Sequence, residues 1–135
     1  MSGYSGTPLF KKLGIKPGFR IRCEGPPANY RDLLEPLPDD VAISNRYKKD
    51  IDVYHLFVKS HDGLKNRLGT IVAEMNSNSM IWVSWPKKSS KVKSDVTEDV
   101  VRKVALPLGL VDIKVCAVDD VWSGLKLVIR KKLRT

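Results

Sequence analysis

The chain contains few of the residues that bind transition metals, since its 135 residues include two cysteines and two histidines. Neither a Cys-x-x-Cys nor a His-x-x-x-His spacing occurs. Zinc sites draw on such closely spaced pairs, so the sequence predicts no transition-metal site. Cys23 and Cys116 each lie in a strand-like run, which predicts two buried, reduced thiols.

Long apolar runs are also absent, because no stretch approaches the roughly 20 residues that a helix needs to cross a bilayer. Residues 1–8 lack the charged start and apolar middle of a secretory signal. A soluble, cytoplasmic protein without membrane contact is therefore expected. The length and the 42% hydrophobic content predict one domain over residues 1–135, which buries roughly two-thirds of its unfolded surface.

Negative charge is scarce as well, with 15 acidic against 24 basic residues and a net charge of +9. This excess favours an anionic partner, which could be a nucleic acid, a phosphorylated ligand or an acidic protein surface. Much of it lies at 87–93 and 130–134. No nucleic-acid-binding motif occurs, so an interaction with nucleic acid is predicted from charge alone.

The hydrophobic pattern predicts ten elements in the order α-β-α-β-β-α-β-α-β-β. Residues 79–85 form an apolar run without clean alternation, which is typical of a strand buried on both faces. Alternating strands and helices favour parallel pairing, whereas about six residues join the last two strands, 111–118 and 125–129, which should form an antiparallel hairpin. The predicted fold class is α/β, a shortened Rossmann-like, mostly parallel sheet flanked by helices.

Two details of the predicted structure depend on short segments, which are the link after the second strand and the start of the last long helix. Only residues 45–50 join a weak strand at 41–44 to the next strand, and six extended residues reach about 20 Å, which leaves no room for a helix. Either this link runs extended across the sheet, or the 41–44 strand is antiparallel or irregular. Later in the chain, Asp95 and Glu98 have the spacing of a capping box, which predicts the start of the last long helix.

Polar residues follow several predicted strands, and α/β proteins bind ligands where the carboxyl ends of parallel strands meet. Lysine and serine side chains at such an edge supply donors for a phosphate or carboxylate. The residues predicted to bind a small anion are Glu24, Gly25, Lys59, Ser60, Trp85, Lys87, Lys88 and Ser89. Trp85 has two interpretations, which are stacking on a ligand ring and filling the top of the core.

No catalytic residue is predicted with these ligands. Glu24 and Lys59 could do acid–base work, but such residues also end strands for solubility. His55 lies within an apolar strand, which favours a hydrogen-bonded core histidine. Asp119 and Asp120 predict turn chemistry in the hairpin, and the alternative is that they form a rim of the same anion-binding pocket.

Seven segments carry a resemblance to a family of small bacterial proteins known only as a domain of unknown function. They are Tyr4–Leu9, Lys12–Gly18, His55–Val58, Trp82–Lys88, Thr97–Arg102, Val111–Asp119 and Trp122–Lys126. The resemblance spans nearly the whole chain. It implies an α/β fold and a small bacterial cytosolic protein, and it implies no activity.

The predicted arrangement is also distantly similar to the Rossmann-like fold of S-adenosylmethionine-dependent methyltransferases. That resemblance implies a glycine-rich turn after the first strand and an acidic residue at the end of the second. Here residues 23–28 contain one glycine and two prolines, and the second strand ends in Ser44-Asn45. The cofactor is therefore not expected to bind in the usual way.

Three functions from different classes follow from these observations. The prediction is a non-catalytic module that binds a small anionic or nucleotide-like ligand at the carboxyl edge of the sheet, without a cofactor. One alternative is nonspecific binding of nucleic acid through a basic surface that includes Arg20, Arg22 and the 87–93 loop. The other is a divergent methyltransferase-like enzyme.

Overall fold

A computed structural model describes residues 6–134, so that Tyr4 and Ser5 of the resemblance lie outside the described residues. The helices and strands are α1 (Leu9–Leu13), β1 (Arg20–Glu24), α2 (Tyr30–Leu34), β2 (Ala42–Ile43), β3 (Val53–Phe57), α3 (His61–Glu74), β4 (Met80–Pro86), α4 (Glu98–Ala105), β5 (Leu110–Ala117) and β6 (Trp122–Ile129). Short 3-10 turns cover Lys88–Ser90, Leu106–Leu108 and Lys131–Leu133. The order of helices and strands agrees with the sequence prediction.

The strands form one six-stranded sheet in the order β2-β1-β3-β4-β6-β5. Strand β1 pairs parallel with β2 and β3, and β3 pairs parallel with β4, whereas β6 pairs antiparallel with both β4 and β5. The hairpin forms because the short link after β5 closes with the Val118 amide donating to the Trp122 carbonyl at 2.9 Å. The predicted fold class, a mostly parallel sheet with a C-terminal antiparallel hairpin, is confirmed.

Each face of the sheet has its own hydrophobic core. Helices α3 and α4 cover one face, where Tyr54, Leu56 and Trp85 are buried with the helical side chains of Leu64 and Leu68. Helices α1 and α2 cover the other face, and its buried residues include Leu13, Leu34, Val53, Phe57 and Trp82. Strands β3 and β4 are therefore buried on both faces, which explains their nearly continuous apolar sequences.

The 41–44 strand runs parallel to β1, with Arg20 opposite Ala42 and Ile21 opposite Ile43. The link that follows runs extended, which is the first of the two predicted alternatives. Its carbonyl groups accept from β1, with Arg22 Nη1 3.3 Å from the Tyr47 oxygen and Arg20 Nη1 3.2 Å from the Lys49 oxygen. The Arg20 guanidinium also lies 4.7 Å from the centre of the Tyr47 ring. Arginine side chains thus hold a link that is too short to contain a helix.

The predicted start of the last long helix is wrong by two residues. Thr97 is the N-cap of α4, and its hydroxyl accepts a hydrogen bond from the Val100 amide at 3.2 Å. Asp95 instead caps a different helix, because its Oδ1 accepts from the His61 amide of α3 at 2.7 Å. Among the described residues, no helix is long and apolar enough to span a membrane.

Candidate functional site

The direction of chain connection reverses between β1 and β3, because β2 lies on one side of β1 and β3 on the other. In open α/β sheets the crevice at such a reversal, beyond the carboxyl ends of the strands, is the usual ligand site. A cavity of about 360 Å³ lies there, which we call the switch-point cavity. It is lined by Glu24, Gly25, Leu56, Phe57, Val58, Lys59, Ser60, Gly63 and Arg67. Four of the eight residues that were predicted to bind an anion therefore line one cavity, and its size suits a small ligand.

Gly25 forms the turn that brings the end of β1 against β3. Its φ is +65°, and a Cβ atom there would lie 3.0 Å from the carbonyl oxygen of Phe57. A side chain at this position would therefore be strained by its backbone conformation and by contact with β3. Glycine is needed here for close packing between the two strands.

Glu24 is held by two arginines that sequence analysis did not connect to it. Arg67 of α3 binds it in a bidentate manner, with Nε 2.7 Å from Oε1 and Nη2 2.9 Å from Oε2. Arg22 Nε lies 3.2 Å from Glu24 Oε2, and Arg22 Nη1 lies 2.9 Å from Glu74 Oε2. The hydrogen bond to Glu24 raises the pKa of Arg67 above its ordinary value. The Glu24 carboxylate is thus fixed and neutralised, which suits orientation of a ligand better than proton transfer.

Lys59 and Ser60 lie where β3 leads into α3. The Ser60 hydroxyl oxygen accepts from the Gly63 amide at 3.0 Å, and Asp95 occupies the His61 amide. The chain therefore satisfies these two amides of the helix N-terminus with its own oxygens. Lys59 is exposed and has no ion-pair partner among residues 6–134, so its ammonium is available to an anion.

The other four residues that were predicted to bind an anion lie outside the switch-point cavity. Trp85 is 6% exposed and packs in the core beneath α3 and α4, so it fills the core rather than presenting a stacking surface. The Lys87 amide donates to the Val121 carbonyl at 2.7 Å, and Lys88 and Ser89 lie in an exposed 3-10 turn. The structure thus separates the predicted site into a cavity-lining half and a neighbouring basic turn.

A second cavity of about 390 Å³ lies at the carboxyl ends of β1 and β2. It is lined by Cys23, Pro26, Pro27, Ala28, Tyr30, Arg31, Ile43, Ser44 and Asn45, and we call it the strand-end cavity. Its walls are mainly apolar, and Arg31 supplies a cation. Burial raises the pKa of the Cys23 thiol and keeps it protonated, whereas Cys116 is only half-buried.

A wider cleft of about 700 Å³ lies between α1, α2 and the β5–β6 turn. Asp119 and Asp120 line this cleft and do not line the switch-point cavity, so they do not form a rim of the predicted anion pocket. The predicted turn chemistry is present, because Asp119 Oδ1 accepts from the Val121 amide at 2.9 Å and the Trp122 amide at 2.8 Å. One carboxylate thus orders the turn at the edge of the cleft.

His55 is a hydrogen-bonded core residue, as predicted. Its Nδ1 lies 2.8 Å from the Tyr30 hydroxyl and its Nε2 lies 2.8 Å from the Ser84 hydroxyl. The ring stacks on Phe57 at 4.2 Å, and 1% of the residue is exposed. Burial lowers the pKa of the imidazole to about 3, which keeps it neutral. The arrangement resembles a catalytic relay in its residue types, but it is enclosed by the core and has no access to a substrate.

Metal ligands do not cluster in the part of the chain from residue 6 to residue 134, where no group of three His, Cys, Asp or Glu side chains could hold an ion. The polar residues that come together are the arginines and glutamates of β1 and α3. Sequence analysis missed Arg67, although its place beside the apolar stripe of α3 is a signal for a residue that reaches the sheet edge.

Comparison with solved structures places the fold among methyltransferases, whereas no family model and no curated protein matches the chain. The tRNA methyltransferase TrmK of Bacillus subtilis has a TM-score of 0.62 and 10% identity, over 96% of this chain and 68% of that one. A ribosomal protein L11 methylase of Lactobacillus delbrueckii has a TM-score of 0.52 and 9% identity, over 90% and 75%. LepI in complex with SAM has a TM-score of 0.55 and 14% identity, and this chain spans 39% of its length.

These identities are too low to transfer an activity, so the likeness is one of architecture. The TM-scores of 0.52 to 0.62 describe a shared overall fold. The distant similarity to the fold of S-adenosylmethionine-dependent methyltransferases, which the sequence predicts, is therefore confirmed.

Proposed function

We propose that the chain is a non-catalytic module that binds a small anionic, nucleotide-like ligand at the carboxyl edge of its sheet. The observation that carries the proposal is the switch-point cavity, which four of the predicted ligand residues line. Its volume of about 360 Å³ lies within the range of small-molecule sites.

The chemistry of the cavity favours an anion that also carries hydroxyl groups. The Lys59 ammonium attracts a phosphate or carboxylate as a point charge. The hydroxyl hydrogen of Ser60 is available as a donor, because the Gly63 amide uses only the oxygen. The Glu24 carboxylate retains lone pairs that can accept from a ligand hydroxyl while Arg22 and Arg67 hold it in place.

The strand-end cavity gives such a ligand room for a ring. It lies on the other side of the turn that follows β1, and its prolines, Ala28 and Tyr30 form apolar walls. Arg31 adds a second cation at its rim. A nucleotide-like molecule that places its anionic group near Lys59 and its ring beside Pro26 would use both cavities.

Binding without catalysis is proposed because the groups that transfer protons are engaged elsewhere. Glu24 is paired with two guanidinium groups, and His55 is enclosed in the core. Glu24 therefore contacts the ligand as a fixed acceptor, and His55 does not reach the switch-point cavity. The remaining group, Lys59, is exposed to solvent, where it acts as a charge.

The competing candidate is a divergent methyltransferase-like enzyme, which the fold alone supports. The residues of the strand-end cavity do not fit the cofactor, because Pro26 and Pro27 offer no amide donors and no carboxylate lines the wall. We therefore expect no saturable binding of S-adenosylmethionine up to millimolar concentration in calorimetric titration. A saturable isotherm that is lost in Arg31→Gln would show that the cofactor binds here and would contradict the proposal.

Thermal-shift measurements test the proposed site directly. We expect adenosine 5′-monophosphate, its di- and triphosphate or pyrophosphate to raise the melting temperature, since a ligand at about 100 times its Kd stabilises the folded state by about 2.7 kcal/mol. Lys59→Gln is expected to lower the affinity for that ligand about tenfold or more, because the substitution removes the cation at the cavity.

Lys65→Gln is the matched control, since Lys65 lies on α3 and does not line the switch-point cavity. This variant should keep the wild-type thermal shift. Equal losses in both variants would assign the effect to net charge, and a panel without any thermal shift would overturn the proposed ligand class.

A further inference from the structure

Two lysines face each other on the C-terminal hairpin. Lys114 of β5 lies directly opposite Lys126 of β6 in the strand pairing. Residues in this relation have Cβ atoms about 4.5 to 5.5 Å apart, and like charges at such positions destabilise a sheet. The pair therefore costs stability unless an anion compensates for it.

A third lysine adds to the repulsion. Burial and the charges of Lys114 and Lys16 lower the pKa of Lys126, which is half-buried. No carboxylate among residues 6–134 forms an ion pair with Lys16, Lys114 or Lys126, whereas acidic side chains pair with Arg22, Arg67 and Arg102 elsewhere. The three lysines thus form an uncompensated group, which we call the hairpin lysine cluster.

Protection of the sheet edge against pairing with another strand explains only Lys114. β5 is an edge strand, and a lysine together with the register shift between Asp112 and Lys114 discourages pairing with another strand. Lys126, however, lies on β6, which is an interior strand between β4 and β5. A half-buried lysine on an interior strand, facing a second lysine, has no such structural reason.

The cluster lies away from the switch-point cavity. Lys126 is opposite Trp82, near the start of β4, whereas the cavity is at the carboxyl ends of β1 and β3. Four further basic residues follow β6 directly, at 130–132 and 134, and Lys131 and Lys132 are exposed. Basic residues thus lie both on the hairpin and directly after it.

We propose that the hairpin lysine cluster binds the phosphodiester backbone of a nucleic acid. Lysines supply point charges without a fixed fork, which suits contacts to successive phosphates better than the enclosure of one free anion. The cluster has no aromatic or arginine anchor of the kind that dominates protein–protein interfaces. Each phosphate bound by a lysine releases counterions, so the interaction is salt-dependent and independent of sequence.

Fluorescence anisotropy with a labelled, mixed-sequence single-stranded oligonucleotide of about 20 nucleotides tests this site, since it spans several phosphate contacts. Lys16→Gln/Lys114→Gln/Lys126→Gln is expected to weaken binding about tenfold or more at low salt. The slope of log affinity against log salt concentration should become shallower by about 2, which corresponds to three lost contacts. The melting temperature of the variant should not fall, because substitution removes like-charge repulsion.

Lys48→Gln/Lys65→Gln/Lys103→Gln removes the same charge from other surfaces and is expected to change affinity less than twofold. Lys59→Gln should retain oligonucleotide binding, which separates this site from the proposed ligand cavity. Equal losses in the two triple variants would overturn the proposal in favour of net charge. Absence of wild-type binding, or equal affinity for a polyglutamate peptide, would overturn it as well. If the cluster variant does not fold, the exposed Lys114→Gln must still weaken binding and reduce the slope, or the proposal fails.

Discussion

Acidification from pH 7 to pH 4 is expected to lower the free energy of unfolding by about 3 kcal/mol through His55 alone. The pKa of its imidazole falls from 6.5 to about 3 because the ring is buried. Between these values the unfolded chain binds a proton and the folded chain does not. Stability from this group is therefore fully present above pH 6.5 and is lost as the pH falls toward 3. Urea denaturation across this pH range measures the change.

His55→Asn tests the assignment, because asparagine is polar and does not titrate. The variant should be less stable at pH 7, where it disturbs the hydrogen bonds to Tyr30 and Ser84, and its stability should depend less steeply on pH. Uptake of one proton changes the free energy of unfolding by about 1.4 kcal/mol per pH unit, and His55→Asn should lose this contribution. His61→Gln, on the exposed first turn of α3, is the control. An unchanged slope in His55→Asn would contradict the prediction.

Glu24→Gln is expected to lower the free energy of unfolding by about 2 to 3 kcal/mol. This loss is at or slightly below the usual cost of removing one partner from a buried ion pair. The Glu24 side chain is 15% exposed and the Arg22 side chain 14%, so solvent cannot replace the lost charge at Arg22. Arg67 is 39% exposed and contributes less, because water screens it. The same variant should weaken binding of the ligand that we propose for the switch-point cavity, because the Glu24 carboxylate lines that cavity. Chemical denaturation and thermal shift measure the two effects separately.

Glu98→Gln is the matched control for this prediction. Glu98 pairs with Arg102 one turn along α4, where the side chains are 40% and 32% exposed. Removing a partner from such a surface pair is expected to cost less than about 1 kcal/mol. Arg22 and Glu24 of β1 and Arg67 and Glu74 of α3 form one set of ion pairs, the β1–α3 network. If Glu24→Gln costs no more than Glu98→Gln, this network is an ordinary surface feature and does not stabilise the sheet edge.

The β1–α3 network also shows how a shortened sheet is completed. The extended link at 45–50 leaves no helix on the α3-facing side of β1. Arginine side chains of β1 bind the link's carbonyl groups, and Arg22 binds Glu74 of α3. Charged side chains thus cover a strand face that apolar helix residues usually cover in an α/β sheet.

The sequence by itself determined the order of the elements and the fold class. Helical and strand periodicities are local properties, so the stripe on α3 and the apolar runs of β3 and β4 could be read without knowledge of contacts. The short link before β6 likewise required an antiparallel hairpin. The two hydroxyl partners of His55 were not predictable, because Tyr30 and Ser84 lie on different elements.

Only the tertiary structure decided which predicted ligands share a cavity. Side chains alternate along a strand, so Trp82 and Trp85 must lie on opposite faces, but a strand buried on both faces does not show which tryptophan meets which helices. Asp95 has the spacing of a cap for α4, yet it binds the His61 amide because packing brings the loop against α3. Register and packing set these contacts between residues distant in the chain, and local pattern carries no information about either.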